Sequence, residues 1–170
     1  GQVAIVFLND IAPQTVLPIC PFKPAVRADI ALDGPGRGKS FQIKTDRPVV
    51  AYSILPFGGG QSAATSASLL LPSSVWDTNY IGVNAYAKSQ VVSAAKPSMR
   101  ILAKEDNTKV TLLPKVAVEA GPNVVGSAAN TPVEYTLNKA EYLQFSQNSE
   151  LTGSVIQSDK PVAVWGGASC

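Results

Sequence analysis

Histidine is missing from this chain altogether, and cysteine nearly so, with two among 170 residues. Without an imidazole a Ser-His-Asp or Cys-His device cannot be assembled, which leaves Ser-Lys pairs, paired carboxylates or a metal as routes to catalysis. Two thiols with no imidazole to join them also fall short of a tetrahedral zinc site. Charge is scarce as well: charged residues make up 15% of the chain, against roughly 25% in an average soluble protein. The net charge is only +2, and the basic residues are scattered. No stripe exists to neutralise phosphates or hold an anionic membrane surface, so nucleic acid is not expected as a partner. Long apolar runs are absent too. Residues 3–8, Val-Ala-Ile-Val-Phe-Leu, fall far short of the ~20 residues of a membrane helix and have no basic flank before them. Membrane insertion by this segment is not expected.

What is present in place of charge is Ser, Thr, Asn, Gln and Ala, with 13 glycines and 13 prolines. That mixture breaks helices and favours short strands joined by turns, while a hydrophobic content of 45% is too high for a disordered chain. The length suits one hydrophobic core, and residues 1–170 are expected to form a single β-rich domain.

The chain repeats itself once. Phe41-Gln-Ile-Lys-Thr-Asp-Arg-Pro-Val-Val-Ala-Tyr52 is echoed within residues 150–167 at a constant offset of 113 (159 − 46). Ile43 meets Ile156, Asp46 meets Asp159, Pro48 meets Pro161 and Val49 meets Val162, while Thr45, Arg47 and Tyr52 meet Ser158, Lys160 and Trp165. In both copies a β-rich run enters a polar corner at Asp-Arg/Lys and leaves through Pro into a second β-rich run. Asp bonds backbone two residues on, and Pro fixes φ while giving up a donor, so Asp46, Pro48, Asp159 and Pro161 read as structural corner residues.

In chain order, residues 3–8, 15–20 and 25–32 are strand-length apolar runs separated by polar or Pro-rich breaks. Asp33-Gly-Pro-Gly-Arg-Gly-Lys-Ser40 has the flavour of a phosphate loop, but Asp33 stands where the pattern needs Gly and no helix follows. Residues 49–55 are nearly all apolar, which suits a central strand covered on both faces. Residues 73–80 form a loop with two large aromatics, and 80–87 read as a strand. Residues 88–96 are the only helix candidate, stopped by Pro97 and too short to stand alone. Residues 99–113 read as a hairpin around Glu105-Asp-Asn-Thr108, with Asn107 at positive φ. Residues 133–137 and 141–146 alternate, with Leu143 and Phe145 inward and Gln144 and Ser146 outward. The expected fold is all-β: an antiparallel β-sandwich-like domain with an internal repeat of a strand–corner–strand motif. The runner-up is a split pair of smaller β-subdomains.

Candidate chemistry is thin. Ser93 and Lys96 have Ser-x-x-Lys spacing, yet Pro97 follows directly and no partner motif is visible. Asp46 and Asp159 each lie beside a cation, Arg47 or Lys160, which favours the ionised form rather than a general acid. Glu105-Asp-Asn107 and Asp77-Thr-Asn79 are oxygen-rich but lack the ligand density of a calcium loop. No catalytic residue, cofactor or metal is assigned. Trp76, Asn79 and Tyr80 on one loop could form an exposed aromatic binding patch, with plugging of the sandwich end as the open alternative.

Several blocks in order, Phe41–Tyr52, Ser68-Leu-Leu-Leu-Pro-Ser73, Asn79-Tyr80, Ala103-Lys-Glu-Asp-Asn-Thr-Lys-Val-Thr111 and Leu151–Cys170, together resemble the N-terminal domain of the IgG Fc-binding protein and its bacterial relatives. The resemblance runs from Phe41 onward and is weaker before it. The wording of residues 33–40 and 58–60 is most similar to surface or secreted members from predatory and social soil bacteria. The resemblance implies a non-enzymatic module, extracellular or at the cell surface, that binds proteins or surface glycans in adhesion. It carries over no binding residue and does not imply antibody binding. A structural subunit of a self-assembling fibre or surface layer is the alternative, since uncovered β-edges invite self-association. The family domain continues past the position of Cys170, so the chain is expected to be part of a longer one, in which Cys170 could find another partner.

For the two cysteines the expected arrangement is a Cys20–Cys170 disulfide, in an oxidising compartment, with one buried and one free thiol as the alternative. Closing so long a loop would contribute on the order of 4–5 kcal/mol in the chain-entropy model, less any strain. Thiol titration of the unfolded, unreduced chain is expected to find no free thiol; two free thiols would refute the bridge.

Overall fold

The alternating runs become strands, and the glycines and prolines the breaks between them. A computed structural model describes residues 5–9, 24–28, 30–55, 65–87 and 94–168. These contain β1 (Gly36–Lys39), β2 (Ala51–Leu55), β3 (Ser66–Leu70), β4 (Asp77–Ile81), β5 (Pro97–Ala103), β6 (Thr108–Leu113), β7 (Val133–Leu137), β8 (Glu141–Ser146) and β9 (Val155–Ala168). The only helical element among the described residues is a 3-10 turn at Ser73–Val75. The protein is all-β with antiparallel strand pairing throughout. A seven-stranded sheet has the order β1-β8-β5-β9-β6-β7, with β4 also on β9, and a separate two-stranded ribbon pairs β2 with β3.

The large sheet is built on β9, the second copy of the echoed sequence. Its first part runs between β6 and β4, with Ile156 opposite Leu112 on one side and Tyr80 on the other. Its last part pairs with β5, from Val162 opposite Ala103 to Ala168 opposite Pro97. Between the two parts the register with β4 jumps, because Gln157 faces Asn79 while Val162 faces Asp77. Residues 158–161 oppose the single Thr78, an excess of three on β9. Pro161 stands where the strand changes partners, so its missing N–H leaves no gap in a ladder. The Asp159 carboxylate accepts from the Lys109 amide at 2.8 Å, and the Ser158 hydroxyl donates to the Lys160 carbonyl at 2.7 Å. Local bonds therefore hold the bend.

Strands β6 and β7 bury every second residue, as half-buried strands should. The core comprises Met99, Ile101, Val110, Leu112, Leu137, Leu143, Phe145, Leu151, Ile156 and Val162, with Val118 and Val124 closing it from the loop after β6. Each such side chain, fully buried, contributes about 1.5–3 kcal/mol relative to exposure. The sheet curls: the rings of Tyr135 on β7 and Phe145 on β8 meet edge-to-face with centroids 5.7 Å apart, although three strands, β5, β9 and β6, lie between β8 and β7 in the sheet order.

Several expectations are corrected. Residues 99–113 are not a hairpin: β5 and β6 flank β9 rather than each other. Alternation specifies the face a residue takes, not the strand beside it, and β9 inserts its apolar Ile156 and Val162 between the arms. The turn itself is as expected, with Asn107 at φ 54°. Residues 49–55 are not a covered central strand, since Val49, Val50, Tyr52 and Ile54 are all exposed. The second copy fills the core, and the first copy is left outside the large sheet. Gln144 and Ser146 are buried rather than outward, because residues 32–34 cross over β8. The Gln144 side chain donates to the Leu32 and Gly34 carbonyls at 2.7 and 3.0 Å and accepts from Arg100 at 2.8 Å. Residues 5–9 and 24–28 form no strand and share a single parallel bridge, Asn9 to Val26. The run 15–20, most of the helix candidate 88–96, and Ser93, Cys20 and Cys170 lie outside the described residues. Strands β1 and β4, both before residue 87, pair with β8 and β9 after it.

The two echoed isoleucines offer a direct comparison of burial. Ile156→Ala is expected to lower stability by about 2–5 kcal/mol. Ile43→Ala, at a position 73% exposed, is expected to change it by no more than about 0.5 kcal/mol. Thermal melts of the two variants check this, and equal losses would place Ile43 in a core as well.

Candidate protein-binding surface

Trp76 follows the 3-10 turn and enters β4 half-buried. Its partner is not Tyr80. The Trp76 and Trp165 rings meet edge-to-face, with centroids 6.1 Å apart and planes at 88°. That is a preferred arrangement of aromatic quadrupoles. Trp165 lies on β9 opposite Arg100 and remains partly open to solvent. Tyr80 instead turns toward the core, where its hydroxyl accepts from the Asp77 amide at 2.7 Å and donates to the Val162 carbonyl at 2.9 Å. Asn79 is exposed on the opposite face of β4 and donates to the Thr78 hydroxyl at 3.0 Å. Strand alternation thus separates Asn79 from Tyr80. Trp165 was not among the residues singled out from sequence, although the echo pairing it with Tyr52 was a signal that large aromatics stand at this place in both copies.

The four corner residues fall into two environments. Asp46 and Pro48 lie in an exposed, unpaired segment, residues 41–50, with a bend at 46–47. Asp159 and Pro161 lie inside β9.

Leading into Trp76 is the β2–β3 ribbon. Its register sets Tyr52 opposite Leu69 and Ile54 opposite Ala67 on one face, and Ala51 opposite Leu70 and Ser53 opposite Ser68 on the other. Extending the same alternation one step places Val50 and Leu71 on the first face. The result is a patch of Val50, Tyr52, Ile54, Leu69 and Leu71, each between 52% and 68% exposed. Val75, the residue before Trp76, is exposed as well. A second, smaller apolar row crosses the outside of the large sheet, where Ile81 and Leu113 flank Val155 from its two neighbouring strands.

A cleft of about 730 Å³ lies elsewhere, between β1 and the loop after β6, lined among others by Arg37, Lys39, Asn123, Val125 and Glu141. Arg37 is occupied there. It donates to the Asn123 and Thr136 carbonyls at 2.7 and 2.8 Å and lies 3.6 Å from Glu141. Behind it the Tyr135 hydroxyl donates to the Val125 carbonyl at 2.7 Å. Burial pushes this phenol up to about 12, against a smaller opposing pull from Arg37. The Glu105-Asp-Asn107 turn spends its oxygens on the fold: the Glu105 carbonyl accepts from Thr108, the Asp106 carboxylate from the Lys139 amide, and the Asp106 carbonyl from Lys160. Among the described residues no group of three His, Cys, Asp or Glu side chains could hold a metal ion, and no helix is long and apolar enough to cross a membrane.

The class is an antiparallel all-β domain that leaves apolar and aromatic side chains in solvent. The family model described as IgGFc binding protein matches residues 66–170, from β3 through β9, and the chain belongs to that family. A search of curated proteins found no match, and a search of solved structures found none.

The buried phenol makes a pH-dependent prediction. The unfolded chain gives up the Tyr135 proton near 10, the folded chain only near 12. The stability contributed by this group is therefore complete below pH 10 and is lost as pH rises toward 12. Tyr135→Phe is expected to flatten that part of the stability profile in denaturant titrations, at a cost of about 1 kcal/mol near neutral pH from the lost hydrogen bond. An unchanged slope between pH 10 and 12 would contradict the assignment.

Proposed function

We propose that this domain is a non-enzymatic binding module of a cell-surface or secreted protein, working in adhesion, with other proteins or surface glycans as partners. The observation that carries this reading is the Trp76–Trp165 pair, edge-to-face and partly open to solvent, with exposed Val75 next to it in the chain. Further support comes from membership of a family whose description denotes binding of a protein. Low charge suits contacts made through apolar area rather than long-range steering. Arg37, the Glu105 carbonyl and the Asp106 carboxylate are engaged with the chain itself. A second reading, a subunit of a self-assembling fibre or surface layer, is favoured by the two outer edges of the β2–β3 ribbon, which pair with no other strand among the described residues.

Trp76→Ala tests the first reading. Immobilised wild-type domain is expected to capture a partner from cell-surface extract, and the variant to lose that capture. Its stability should fall by only about 1 kcal/mol, the scale of one aromatic pair. A loss of several kcal/mol would make Trp76 a core plug, and unchanged capture would remove it from the binding surface.

A further inference from the structure

The β2–β3 ribbon divides its side chains by chemistry, mostly apolar on one face and mostly small or polar on the other, with most of both exposed. Its small and polar side chains, Ala51, Ser53, Ser66 and Ser68, share the face on which Ala51 and Leu70 are partly covered, while Val50, Tyr52, Ile54, Leu69 and Leu71 point into solvent. It pairs with no strand of the large sheet. A two-stranded ribbon alone is marginal in water and gains stability when its apolar face is packed. We propose that this face is covered by the same face of a second copy of the chain, giving a closed two-fold dimer in which two ribbons pack as the layers of a small sandwich.

Area, charge and symmetry favour that occupant. The five side chains expose on the order of 500 Å², so two copies meeting face to face would bury about 1,000 Å² in total, the scale of a weak, reversible interface. Strands β2 and β3 carry no charged residue, so two copies meet without like charges opposing. The nearest charges are Asp46 and Arg47, adjacent and of opposite sign. A two-fold axis can bring the Asp46 of each copy toward the Arg47 of the other. An isologous contact of this kind closes on itself, unlike edge-to-edge addition, which extends indefinitely. The apolar side chains belong to the face, whereas an edge would offer only backbone.

Sedimentation velocity of the 170-residue chain from about 1 to about 100 µM tests the proposal. The expected result is a reversible monomer–dimer equilibrium. The pair Ile54→Lys with Leu69→Lys should weaken it by roughly 100-fold or more. The pair Ser53→Lys with Ser68→Lys, on the opposite face, should leave it unchanged, and circular dichroism should show the β signal retained in both. Trp76→Ala should dimerise like wild type, so failure of partner capture and failure of self-association are read separately. Three outcomes overturn the proposal: a wild-type monomer throughout, including one whose ribbon amides are protected by another segment of the chain; equal weakening by both pairs of substitutions; or assemblies that keep growing with concentration, which would give the contact to the edges.

Discussion

Everything in the large sheet depends on β9 being paired along both of its edges. This 14-residue strand holds β6 and β4 with its first part and β5 with its last. Its inward side chains, Ile156 and Val162, are among the most buried in the chain. Without β9, β5 and β8 would separate from β6 and β7, and the curl that brings Tyr135 against Phe145 would have nothing to close. The bend at residues 158–161 lets one strand serve both groups, since a β-strand that changes partners needs a place where pairing lapses. A Pro and an Asp fit there because neither loses a ladder bond.

Loops are fastened to this sheet by buried amides. Gln147 is nearly inaccessible, accepts from the Glu119 amide at 3.0 Å and donates to the Ala117 and Ser149 carbonyls at 2.9 and 3.0 Å. Asn84 donates to the Ser98 carbonyl and accepts from the Leu151 amide, tying the segment after β4 to the far side of the sheet. Gly166 permits that segment to pass, since a Cβ there would collide with the Val83 carbonyl. Among the described residues no buried side-chain polar atom lacks a partner. A satisfied buried amide fixes geometry more sharply than an apolar contact, because leaving one group unpaired costs about 1–3 kcal/mol.

Outside this framework the chain behaves differently. The ribbon and the segment leading into it share no ladder with the core, and their apolar side chains contribute little to holding the sheet together. Apolar area that a fold does not use for itself is available for contact with something else.

By itself the sequence determined the class of fold. Scarce charge, abundant Gly and Pro and period-2 runs argued for strands over long helices, and the alternation in residues 141–146 told that Leu143 and Phe145 face the core. The family was legible too, from ordered blocks between Phe41 and Cys170, and so was the turn at Asn107. Tertiary structure alone decided which strands are neighbours, because backbone hydrogen bonds are the same for every residue and alternation encodes faces, not edges. That is why β9 could enter between two arms that read as a hairpin. It also decided which echoed copy is buried: Ile43 and Ile156 have the same side chain, but only one has a sheet around it. Of the aromatic patch, Trp76 was legible and Trp165 was not, since 89 residues separate them (165 − 76) and only folding makes them a pair. Gln144 was hidden for the same reason: its burial is a property of the loop that crosses it, which no local pattern records.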